Sequence, residues 1–188
     1  MGKKKRKAAI AALESQEQER VERTLEVIER AFDGVPPPDH EHRTLHQAEA
    51  WDVYRIVDQG GDHNGRWQDL PESHILECTQ AFPHLDEQGI QYYLPAFMSH
   101  FIRTPRAREQ WSYTSLLFTL QPSTGDLKAH QRRRFSLLTH LQRKAIVAYL
   151  EHIEAPEKAL LPWRRVVEAG DDPDWFREFY DAQLSRTD

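Results

Sequence analysis

The chain holds one cysteine, Cys78, in 188 residues. That excludes a disulfide within the chain and fits a reducing compartment. No apolar run approaches the roughly 20 residues that span a bilayer. Residues 1–7 carry five basic groups and look like the start of a secretory leader. The apolar part that follows ends at Glu14 without a cleavage-like pattern. A myristoylation signal needs Ser or Thr at position 6, where Arg6 stands. The expected location is therefore the cytoplasm. Glycine is scarce, and Gly60-Gly61 lacks the Lys-Ser/Thr that completes a phosphate-binding loop. No Gly-x-Ser-x-Gly elbow is present. No segment alternates as a strand would, and no internal repeat occurs.

What the chain does carry is helical periodicity. Ile90, Tyr93, Leu94, Phe97, Met98 and Phe101 fall at offsets 0, 3, 4, 7, 8 and 11, the stripe of a helix with one buried face. Asp86 suits the N-cap, and Glu87 adds negative charge to the first turn. Pro95 removes the backbone bond to the Gln91 carbonyl and predicts a kink. The expected fold is all-α, an irregular multi-helix bundle around a Pro-kinked central helix at about 87–102.

Val21, Leu25, Ile28 and Phe32 predict a long helix over 8–33, stopped by Gly34 and Pro36-Pro37-Pro38. Its first half has only Ile10 and Leu13 as apolar anchors, and its basic leader opposes the helix dipole. Residues 1–15 are therefore expected to fray. Thr44 with Gln47, and Thr139 with Gln142, read as capping boxes opening helices to about Asp58 and to Pro156. Ile75, Cys78, Thr79 and Phe82 predict a short helix ending near Pro83. Tyr113, Leu116, Leu117 and Leu120 predict another, and residues 122–134 read as a loop. A helix around 157–169 contains Pro162. Asp172-Pro173-Asp174 starts a last helix carrying Trp175, Phe176, Phe179 and Tyr180 as i, i+4 aromatic pairs. The expected division is a leader 1–15, a helical core 16–155 and a C-terminal extension 156–188.

The net charge of −5 hides a segregation. Residues 8–99 carry a net −12, residues 100–144 a net +7 and residues 151–188 a net −5. The basic segment either docks against the acidic ones or presents a positive face to an anionic partner.

Trp67, Ala81-Phe82, Leu85, Tyr92-Tyr93-Leu94-Pro95-Ala96-Phe97, Phe135, Leu138-Thr139, Gln142, Ala145-Ile146 and Tyr149-Leu150 stand in a recognisable order. Residues 25–153 resemble a bacterial family of domains of unknown function with a Tyr-Tyr-Leu-Pro-Ala signature. The resemblance implies an all-helical domain with Tyr92, Tyr93, Leu94, Pro95 and Phe97 as its structural core signature. It implies no activity, and it transfers no functional residue.

The residues themselves offer few candidates for chemistry. His40, His42 and His46 lie close together, but Thr44 caps a helix between the last two and no neighbouring Glu completes a zinc-protease pattern. No metal or cofactor is assigned. Arg134 and His140 have a spacing similar to the Arg–His pair of helical toxin nucleases, yet the cap at Thr139 separates them. Cys78 sits on a core face and reads as an inert thiol. The strongest signal is basic: Arg103, Arg106, Arg108, Lys128, Arg132, Arg133, Arg134, Arg143 and Lys144, with Trp111 and Tyr113 interleaved. The expected contact surfaces are Arg103, Arg106, Arg108, Arg132, Arg133 and Arg134, with Trp175, Phe176, Phe179 and Tyr180.

The expected function is a helical interaction or accessory protein without catalytic machinery, with a protein partner and an immunity- or antitoxin-like subtype. Nucleic-acid binding through the Arg cluster and leader ranks second. An enzyme with a site near Pro95 ranks third, and a pocket there lined by His100, Tyr92 and an Arg would raise it.

Overall fold

Caps and turn residues divide the chain into nine α-helices among the described residues, 3–52 and 62–181 of a computed structural model. They are α1 (Lys3–Ala31), α2 (Leu45–Asp52), α3 (Glu72–Glu77), α4 (Glu87–Arg103), α5 (Trp111–Leu120), α6 (Leu127–Arg134), α7 (His140–His152), α8 (Glu157–Glu168) and α9 (Phe176–Asp181). Short 3-10 turns occupy Trp67–Asp69, Phe82–His84 and Pro105–Glu109. No strand occurs among the described residues, so the fold is all-α.

α4 is the centre. The Asp86 carboxylate caps it by accepting from the Gly89 N–H at 3.0 Å. Its other oxygen accepts from the Arg43 N–H at 2.7 Å, which draws the segment before α2 onto the start of α4. That approach needs Gly89, where a Cβ would stand 3.1 Å from the Arg43 carbonyl oxygen. The stripe of apolar residues predicts one buried face, but α4 is buried nearly all round, from Gly89 to Ile102 with Gln91 the half-buried exception. Neighbours explain the difference: α1, α5, α6, α7 and the 3-10 turns at 67–69 and 105–109 all pack on it. A helix surrounded in this way has no solvent face. Tyr92, off the stripe, is also buried and donates its hydroxyl to the Gly65 carbonyl at 2.9 Å. Pro95 lies inside α4, as expected.

α1 begins at Lys3, earlier than residue 8, through a Lys/Arg run of good helix propensity that leads into Ala8-Ala9. Its side chains from Arg6 to Glu19 are exposed. From Arg20 onward it packs on α7 and α4, and Gly34 at φ +70° ends the segment. The Thr139–Gln142 capping box forms in full. The earlier one forms by half: Gln47 accepts from the Thr44 N–H at 3.1 Å, while the buried Thr44 hydroxyl has no hydrogen-bond partner. The expected continuation of α2 to Asp58 lies outside the described residues.

Two expectations are corrected. Residues 122–134 contain α6 rather than a loop. Its only large apolar side chain, Leu127, is exposed, and what it buries is polar. Gln131 accepts from the Ser123 N–H at 2.8 Å and donates to the carbonyls of Thr119 and Gln121 at 3.0 and 2.7 Å. A search for apolar periodicity passes over such a helix. The last helix starts at Phe176, because Asp172 and Asp174 form a turn first, the Asp172 carboxylate accepting from the Asp174 N–H at 2.8 Å.

One core cluster runs from Ile28 to Phe179. Phe82 meets Phe97 edge-on at 4.7 Å on the α4 side. Trp163 of α8 is fully buried, donates its indole N–H to the Leu120 carbonyl at 2.8 Å and touches the rings of Phe135, Trp175 and Phe179.

Candidate functional site

The aromatic side chains of the C-terminal segment face inward. Trp175, Phe176 and Phe179 are buried around Trp163. The expected i, i+4 pairs are present, with centroids 6.1 Å apart for Trp175–Phe179 and 6.5 Å for Phe176–Tyr180. Tyr180 donates its hydroxyl to the Lys128 carbonyl at 3.0 Å, and burial raises its pKa to about 12. These rings join α9 to α6 and α8.

The basic residues divide into separate groups. Arg134 is buried and donates to the carbonyls of Leu85, at 2.6 Å, and Phe82. Burial lowers its pKa to about 10. It is a structural staple, six positions from a His140 that lies 4.0 Å from Asp171. Arg143 is buried too, donating to the carbonyls of Leu138 and Gly170 and lying 4.8 Å over the Trp175 ring. Arg132 pairs with Asp174 at 3.0 Å. Arg133 is exposed beside a shallow cleft that also holds Glu41, Asp86 and Glu87. Arg108 donates to the Phe101 carbonyl at 3.0 Å and lies near Glu17. Arg103 and Arg106 are exposed, on the approach to α5.

α5 buries Leu116 and Leu120 but exposes two rings and buries three hydroxyls. Trp111 and Phe118, seven residues apart and so on one face, are 72% and 65% exposed. Ser112, Ser115 and Thr119 point inward, and none of their hydroxyls has a hydrogen-bond partner. A helix selected only for this core would turn the rings in and the hydroxyls out. Trp111 is legible in the sequence. Phe118 is not, because Leu116, Leu117 and Leu120 already supply an apolar stripe beside it. What could have found it is the second, polar stripe of Ser112, Ser115 and Thr119 at offsets 0, 3 and 7.

A cleft of about 230 Å³ opens between α3 and α4, lined by Glu72, Ser99, His100 and Arg103 among others. His100 Nδ1 is 3.7 Å from Glu72, and burial lowers the ring's pKa. The cleft brings His100 and an Arg together, as a site near Pro95 would require, but the Tyr92 hydroxyl is engaged with Gly65. Cys78 is buried, and burial pushes its thiol pKa up, so it is no nucleophile.

His40, His42 and His46 do not converge. His42 bonds Asp39 at 2.7 Å and His40 is exposed. The bond from His42 lowers the Asp39 pKa to about 2 and raises that of His42. His46 turns the other way, to Asp62 and His74. One ligand atom from each of His46, Asp62 and His74 lies within 4.8 Å of the others. This trio was hidden in the sequence because 28 residues separate its outer members.

Fold and surface together define an all-helical domain with one continuous core and an outward-facing aromatic helix. No described helix is long and apolar enough to cross a membrane. The chain belongs to DUF6714, a family of unknown function, whose profile matches residues 20–161. Comparison with curated proteins and with solved structures finds no match.

Proposed function

We propose that the protein is a helical interaction module that docks a partner protein on the outer face of α5. The observation that carries this reading is that α5 keeps Trp111 and Phe118 outside while it buries three hydroxyls beside Leu116 and Leu120. Exposed aromatic rings beside arginines are the usual anchors of a binding surface. Arg103, the last residue of α4, and Arg106 are exposed and precede α5 in the chain, so the partner supplies an apolar pocket flanked by carboxylates. An immunity- or antitoxin-like role in a bacterial cytoplasm is the setting we favour. The buried, unreactive Cys78 fits such a reducing compartment. We take residues 92–96 as the family's signature because they are buried together in the central helix.

The test is capture from native lysate with the tagged full chain, after nuclease treatment and through a salt step. A defined protein is expected to be retained by the wild type and by L127A, which trims an exposed leucine elsewhere. W111A/F118A loses it, and R103E/R106E weakens it at least about tenfold. Equal recovery by W111A/F118A rules out this face. Recovery that disappears with nuclease favours the second reading, nucleic acid held by the exposed arginines. A wild-type dimer dissolved by W111A/F118A would place a second copy of the chain on α5 instead.

A further inference from the structure

Asp62 is an unusual place for a carboxylate. Its side chain is only 4% exposed. One oxygen contacts His46 Nδ1, while the other is buried without a hydrogen-bond partner. Across the cluster, His74 Nδ1 is also buried without one. Buried polar atoms in folded proteins are nearly always satisfied, and two orphans in one cluster call for a common explanation. A buried carboxylate needs positive charge near it, yet among the described residues no Lys or Arg is paired with Asp62.

We propose that His46, Asp62 and His74 form a binding site for a divalent transition-metal ion of the zinc type. Two imidazoles and a carboxylate are the donors such ions prefer, whereas magnesium and calcium take oxygen. The three donors lie within 4.8 Å of one another. A tetrahedral ion with bonds of roughly 2 Å sets its donors about 3.4 Å apart, so modest side-chain rotations close the site. The rings of His46 and His74 meet edge-on at 4.6 Å, and His46 already turns its Nδ1 to the Asp62 carboxylate. Glu77, one turn beyond His74 on α3, has its carboxylate 3.8 Å from His46 Nε2 and is available as a fourth ligand or a support for the ring. The ligands come from α2, the residue after 53–61 and α3, so a bound ion ties three separate segments beside the central helix. This inference is independent of the α5 docking face.

Titration calorimetry of the full chain with zinc chloride tests it. One ion per chain is expected, with a rise in Tm, and magnesium chloride gives neither. D62N and H74A each weaken binding at least about tenfold, because a lost ligand costs no less than a lost support. H40A/H42A, which removes the histidines of the segment before α2, binds as the wild type does. Circular dichroism shows whether each variant is folded, and H74A decides if D62N is not, since His74 is partly exposed. In the wild type, zinc shifts the imidazole NMR signals of His46 and His74 and leaves those of His40 and His42 in place. Absence of saturable zinc binding, unchanged binding by H74A, or ring shifts confined to other histidines overturns the proposal.

Discussion

Arg134 shows how a charged residue can be core. Its guanidinium is buried, reaches the Leu85 and Phe82 carbonyls from the end of α6, and so holds the turn that leads into α4. Both carbonyls belong to buried residues, Phe82 and Leu85. R134A should therefore cost roughly 3 kcal/mol, the loss expected for hydrogen bonds from a charged donor plus two stranded acceptors. In urea the midpoint should fall with the slope unchanged. Lysine cannot fork between two carbonyls, so R134K should recover only part of the loss. A variant within about 0.5 kcal/mol of wild type would mean that the turn is held by other contacts. Nothing in the run Arg132-Arg133-Arg134 distinguishes these three neighbours as residue types. Their fates are set by helix phase: Arg134 turns inward, Arg132 reaches Asp174 and Arg133 faces solvent.

At the scale of elements, local signals were the readable ones. Asp86 caps α4 and Thr139 with Gln142 caps α7, because caps are made within three residues and carry their chemistry with them. Removing the cap hydroxyl in T139A should cost about 1 kcal/mol, while T139S keeps most of the stability. Hydrogen exchange should localise the T139A change to the first turn of α7. Uniform change, or none, would show that Gln142 alone sustains the cap. α6 was illegible for the opposite reason: Gln131 and Arg134 bury polar groups against distant carbonyls that no local pattern reveals. The same holds for the aromatic pairs on α9. Their spacing was readable, but only the position of Trp163 decides that they face inward. The trio of His46, Asp62 and His74 belongs with these, since its members come from separate segments that only the fold brings together.

For the whole molecule, the segregated charge is partly answered within the fold: Arg132 meets Asp174, Arg143 lies 3.8 Å from Asp171, and Arg108 sits near Glu17. The histidines add a dependence on pH. His100, His130 and His152 all have pKa values below the ordinary 6.5, with burial the largest cause in each. For His152 the charges of Arg20 and then Arg108 add to it, opposed by Glu17. Its Nδ1 lies 3.2 Å from the Thr24 hydroxyl, so this ring also joins α1 to α7. With folded pKa values depressed, the unfolded chain takes up protons first as the solution is acidified. The stability is fully present above pH 6.5 and is lost as pH falls through the folded values. His42 acts oppositely: its raised pKa gives stability below 6.5 that is lost as pH rises. It is one surface pair against four depressed rings, His74 among them, and surface pairs contribute little. Tm should therefore drop between about pH 7.5 and about pH 5.5. H152Q keeps a partner for Thr24 without a titrating ring, so it should flatten part of that slope. A wild-type Tm that rises on acidification would show that the surface pair outweighs the buried rings. A slope unchanged in H152Q would place the proton uptake away from the α1–α7 contact, at His74, His100 or His130.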